Sequence, residues 1–307
     1  MFFLQIVWDV ITPIILMMGV GFAVQRKLGF DIKSLTRLNF WVFVPAFLFV
    51  KFVGSKLSAG EFIAIIIHFV ILFTTMGVLS WQVAKWCGYG DRLRRALTAS
   101  VLFYNSGNYG VPVAKFAFLG AGDSVQAFVI ILQNFTNFTI GLGLHAGGGG
   151  GMSKRDQLSA IFKLPMVYAF VAAIIWRTFQ LPIPGPFDDA LKYLADGLVP
   201  IALVTLGAQM ATLESYRFTP AMGVTLFLRL VLAPIIGCAI VLAMGLHGIL
   251  AQALIVSTSF PTAVNSALLA IEYDNEPEYA AAIVFYSTVI STLTVSLVIY
   301  LAKTYVK

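Results

Sequence analysis

Two short motifs mirror each other inside strongly apolar sequence: Asn108-Tyr109-Gly110-Val111-Pro112 and Pro261-Thr262-Ala263-Val264-Asn265. One reads Asn-x3-Pro and the other Pro-x3-Asn, and sliding the chain by 153 residues lays one on the other. Each asparagine amide can both donate and accept a hydrogen bond. Each proline removes a helical hydrogen bond and clashes with the preceding turn. A helix broken in this way exposes a half-helix N-terminus, where free N–H groups and the positive end of the dipole hold carboxylate or phosphate. In lipid, such freed backbone is tolerated only where it is buried in protein or lines a polar cavity. The residues expected to bind substrate are therefore Asn105, Asn108, Gly110 and Pro112 at the first break, and Ser259, Pro261, Thr262 and Asn265 at the second. The blander account is a structural kink patched by polar neighbours.

Other polar residues carry weaker signals. Asn134 and Asn137 share one helical face beside Gln133, suited to lining a pathway or to gluing helices together. Arg229 and His68 lie deep in apolar sequence, which makes them functional candidates by default, although a carbonyl partner would explain either. Lys115, one turn beyond Pro112, is expected to snorkel outward. Asp9 and Asp196 fall near segment ends, where an interface position suffices. Cys87 and Cys238 form no metal or redox motif, and neither metal nor cofactor is expected.

These residues need positioning elements, and composition says of what kind. The 307-residue chain is 59% hydrophobic and only 11% charged, with a mean hydropathy of +0.90. Soluble domains carry about a quarter charged residues, so lipid is the solvent implied. The N-terminus lacks a basic n-region and reads as the start of a membrane helix. The expected fold is all-α and polytopic. Ten spans of about 20 apolar residues cover 5–27, 33–54, 60–87, 92–119, 124–145, 160–180, 188–212, 218–245, 248–272 and 278–303. The fourth and ninth are the broken ones, with non-helical backbone expected near 108–112 and 261–265.

A linker at 147–159, opening with the glycines Gly147 to Gly151, separates a first five-helix repeat (1–146) from a second (160–307). Pro13 then matches Pro165, Pro45 matches Pro200, His68 falls near Arg229, and Gln133 meets Tyr286. An odd number of spans per repeat forces the second to enter the membrane in the opposite sense, the inverted-repeat architecture of many secondary transporters. Loops after odd-numbered spans hold 12 Lys and Arg residues against 7 on the other side. That bias puts both termini outside and the glycine-rich loop in the cytoplasm of a cell-membrane protein.

The stretch Phe103–Pro112 resembles the fourth span of the auxin efflux carrier family, and Ser257–Asn265 resembles its ninth. Leu198-Val199-Pro200-Ile201-Ala202-Leu203, followed by Leu206-Gly207, is similar to its seventh. The resemblance covers essentially the whole chain. It implies a fold like that of sodium–proton antiporters and bile-acid symporters, with scaffold and transport domains each built from both repeats and helices 4 and 9 crossing in the transport domain. Plant members export auxin, and bacterial members are named malate or malonate permeases. The short central loop favours a prokaryotic-type member.

The function expected is secondary transport of small organic anions, carboxylates of the auxin or malate and malonate kind, by alternating access. The partners expected are that anion and the lipid bilayer, without nucleic acid, and a homodimer is compatible. No GxxxxGK[ST] motif supports ATP-driven transport, and no HExxH motif supports an intramembrane enzyme. The lack of paired midplane carboxylates argues against a metal-cation substrate. The alternatives are a sodium-coupled symporter of bile-acid-carrier type and a membrane ligand sensor.

Overall fold

The computed structural model describes residues 2–146, 162–212 and 217–306. Among these, every regular element is helical. The chain runs through α1 (Phe2–Leu28), α2 (Ile32–Val53), α3 (Ala59–Trp86), α4 (Asp91–Leu102), α5 (Gly110–Phe118) and α6 (Asp123–Ala146). It continues through α7 (Pro165–Thr178), α8 (Gly185–Thr212), α9 (Pro220–Ala243), α10 (Gly248–Ser257), α11 (Val264–Glu272) and α12 (Pro277–Tyr305). Seven of these, α1, α2, α3, α6, α8, α9 and α12, are long and apolar enough to cross a membrane. The expected linker 147–159, with Lys154 and Arg155, lies outside the described residues, as does the start of the sixth expected span.

Interior prolines do not all break helices. Pro13, Pro45 and Pro234 each follow a single π-helical turn, at Val7–Ile11, Asn39–Phe43 and Leu228–Leu232. The wider turn gives the ring room where an α-helical turn would clash. Pro165, by contrast, opens α7, where no N–H is needed.

The two real interruptions are residues 103–109, between α4 and α5, and 258–263, between α10 and α11. Both begin earlier than the motifs suggest. Pro112 sits in the first turn of α5, a position that costs proline nothing, so the helix resumes before it. Asn265 is likewise already in the first turn of α11.

Two large apolar cores hold most of the elements, and a small third cluster packs α11 against α12. One large core joins α1, α2 and α8 to α5, α6 and α10, and the other joins α3, α4, α9 and α12. In the first, Gly21 lies against the backbone of Val204 and Gly207 against that of Met18, so α1 and α8 meet backbone to backbone. Large apolar side chains such as Leu16, Val78 and Leu293 remain exposed, as expected of a surface that faces lipid.

Candidate functional site at the crossing of two interrupted helices

The interruptions satisfy each other's backbone. The Asn105 N–H donates to the Pro261 carbonyl at 2.7 Å, and the Ala263 N–H donates to the Phe103 carbonyl at 2.8 Å. Tyr104 and Thr262 thereby form one antiparallel bridge. An unpaired buried backbone group costs about 1–3 kcal/mol, so these two bonds remove much of the cost of breaking both helices.

The carbonyls left at the end of α4 are each taken by a side chain from another element. Thr262 Oγ1 donates to the Ser100 carbonyl at 2.8 Å, Arg229 Nη1 to that of Val101 at 2.9 Å, and Gln133 Nε2 to that of Leu102 at 3.3 Å. The end of α10 is served locally. The hydroxyls of Ser257, Thr258 and Ser259 donate to the carbonyls of Leu254, Ile255 and Val256. Three hydroxyl residues in a row thus read as a helix terminus, and Arg229 Nη2 adds a bond to the Thr258 carbonyl.

The half-helix N-termini differ. At α5, the Gly110 and Val111 N–H groups donate to the carbonyls of Asn105 and Gly107, and Pro112 has no N–H, so this end is closed by its own chain. At α11, the Val264 and Asn265 N–H groups have no backbone acceptor among the described residues, and both residues line a cavity. The free N-terminus expected at each broken helix is therefore found at one of the two, that of α11.

That cavity, about 70 Å³, is lined by six asparagines (Asn39, Asn105, Asn108, Asn134, Asn137 and Asn265) together with Gln133 and Thr36. They come from α2, α6, α11 and the first interruption. No described lining residue carries a formal charge. Asn39 Nδ2 donates to Asn108 Oδ1 at 2.8 Å, and Asn134 Nδ2 to its own-helix Ile130 carbonyl at 2.9 Å. Asn39 Oδ1, Asn105 Nδ2 and Asn137 Oδ1 are buried and make no hydrogen bond to the described protein. Such atoms are costly unless a ligand or water meets them. Thr36 and Val264 also line a second, mostly apolar groove of about 330 Å³, which continues to Lys33 and Arg37.

Five of the expected site residues, Asn105, Asn108, Asn134, Asn137 and Asn265, therefore meet at one cavity. The other five do not line it. Ser259, Pro261 and Thr262 are buried in the hydrogen-bonded frame of the crossing, and Pro112 is buried in the first turn of α5. Gly110 makes a close approach: a Cβ there would stand 2.6 Å from both the Phe260 ring and Gln126 Nε2, an amide that holds the Ser106 carbonyl at 2.6 Å. His68 Nε2 meets the Gly237 carbonyl at 3.4 Å, away from the cavity. Lys115 does not snorkel freely but pairs with Asp196 of α8 at 3.0 Å.

Thr36, Asn39, Tyr104 and Ser106 are polar lining residues that sequence reading missed. The available signal was local: Asn39 and Arg229 each stand five or six positions before an interior proline, where the π-turn forms. Turns of this type recur at functional positions.

A family profile described as membrane transport protein matches residues 6–299. The chain belongs to this family, that of the auxin efflux carriers. An uncharacterized transporter of Methanothermobacter thermautotrophicus is 28% identical over 274 residues, 87% of this chain and 88% of the relative. An uncharacterized transporter of Escherichia coli (strain K12) is 25% identical over 95% of this chain and 96% of its own. A proposed malonate transporter of Rhizobium meliloti (strain 1021) is 26% identical over 64% of each chain. The family and these relatives are transporters rather than enzymes, and the apolar helices are those of a multi-pass membrane protein.

Proposed function

We propose that this member of the family is a secondary transporter for small organic anions, with the asparagine-lined cavity as its substrate site. The observation that carries the reading is the convergence of six asparagines and one open half-helix N-terminus on a cavity at the crossing of two interrupted helices. Amides supply oriented donors without a fixed counter-charge, and the N-terminus of α11 supplies positive potential. A carboxylate is held by such donors yet released more readily than from a lysine, as a carrier requires.

The architecture proposed is ten spans in two inverted repeats, 1–146 and 160–307. In its support, the α5 range shifted by 153 residues falls within one residue of α11, and the bridged segments run antiparallel. Alternating access then moves the crossing against a scaffold that includes α1, α2, α7 and α8. Two ion pairs join elements at the end where α2 stops and α6 starts: Lys51–Asp123 at 2.8 Å and Lys115–Asp196 at 3.0 Å. The groove leads instead toward Lys33 and Arg37 at the other end of α2. We read this as a conformation open to the side that the basic residues mark as cytoplasmic.

Purified protein in liposomes, tested for uptake of labelled malonate, malate and indole-3-acetate, decides the matter. Saturable uptake of a carboxylate supports the reading. Folded protein that binds a carboxylate without moving it favours a sensor.

A further inference from the structure

Arg229 is the largest fully buried side chain among the described residues, 1% exposed in the middle of α9. Its guanidinium has no carboxylate partner among the described residues. Instead it donates to the Val101 carbonyl at 2.9 Å and to the Thr258 carbonyl, and its Cζ stands 4.8 Å from the centre of the Tyr104 ring. Val101 is in the last turn of α4, and Thr258 caps α10. One guanidinium therefore sits between the C-terminal ends of both half-helices. Each such end carries roughly half a negative charge, so one fixed positive charge offsets the pair. All other donors on these two termini are neutral hydroxyls, one amide and backbone N–H groups.

We propose that Arg229 is the resident cation of the crossing. It holds on the protein's own side chain the positive charge that an inorganic coupling cation would otherwise bring to these carbonyls. With the C-terminal ends neutralised, the open N-terminus of α11 leaves the crossing electropositive, and an anion is favoured there. Arg229 does not line the asparagine cavity; it is a positioning residue that acts through the carbonyls and Tyr104. This inference rests on the cavity being the substrate site. It adds that substrate binding needs no sodium.

The test compares wild-type protein with Arg229→Lys, Arg229→Met and Arg229→Ala. In liposomes, wild-type uptake of the transported carboxylate should be unchanged when sodium is replaced by potassium or N-methylglucamine. Arg229→Met, which fills similar volume without charge, should raise KM roughly tenfold or more, and Arg229→Lys should recover part of the loss. In detergent, the melting temperature of Arg229→Ala should rise with millimolar guanidinium, whereas wild type and Arg229→Met should not respond. A sodium requirement in the wild type overturns the proposal. So does Arg229→Met with wild-type KM, or Arg229→Ala that ignores guanidinium. If no carboxylate is taken up at all, the transport reading fails by itself, and the melting experiment still decides whether a cation seat exists at residue 229. Should Arg229→Ala fail to fold, sodium dependence of the wild type and KM of Arg229→Lys decide.

Discussion

Replacing Asn108 by alanine should weaken substrate binding while leaving the protein folded. Asn108 accepts from Asn39 Nδ2 at 2.8 Å, and Asn39 Oδ1 is already buried without a partner. Truncation therefore strands the whole Asn39 amide, and a stranded buried polar group costs about 1–3 kcal/mol. Felt at the cavity, that is roughly a fivefold to hundredfold rise in KM. Asn39→Ala should cost a similar amount, because it frees the Asn108 oxygen. The double variant should lose clearly less than the sum of the singles, since both changes remove one bond between α2 and the first interruption. Concentration-dependent uptake in liposomes, with melting temperature as the folding control, measures all three. Strictly additive losses would refute a shared bond, and wild-type KM in both single variants would refute the placement of substrate at this cavity.

Gly110→Ala brings a Cβ to 2.6 Å from the Phe260 ring and Gln126, and the overpacking should cost about 1–3 kcal/mol, seen as a lower melting temperature with reduced uptake. Ser259→Ala removes only a local cap on the Val256 carbonyl; stability should fall by about 1 kcal/mol with KM unchanged, and a large KM effect would return Ser259 to the site. Lys51→Met leaves the buried Asp123 carboxylate without its 2.8 Å partner. That should cost about 3–5 kcal/mol, with Asp123→Asn restoring part of the lost thermal stability in the double variant. Cysteines placed at 149 and 307 should react with impermeant reagents from opposite sides of the membrane; labelling from the same side would rule out ten spans.

Much of the architecture was legible in one dimension because a membrane protein writes its elements as runs of apolar residues. Composition required lipid as solvent, and the Asn-x3-Pro and Pro-x3-Asn motifs marked which two segments are interrupted. The spacing of 153 residues located the second half-helix from the first. Asn134 and Asn137 could be put on one face from helical periodicity alone. None of this needed long-range information.

How the freed polar groups pair is set by the fold. Ser259, Thr262 and Asn108 look equivalent in sequence, each a polar residue within four positions of a motif proline. Ser259 closes its own helix, Thr262 closes the end of α4, and Asn108 lines the cavity. The two N-termini also look alike, yet that of α5 is filled by carbonyls of its own loop while that of α11 stays open. Arg229 was marked as unusual by burial in apolar sequence, but its two carbonyl partners lie 128 and 29 residues away. Periodicity and breaker residues act over only a few positions. Hydrogen-bond satisfaction in a water-free interior is settled among groups that only the folded chain brings within 3 Å.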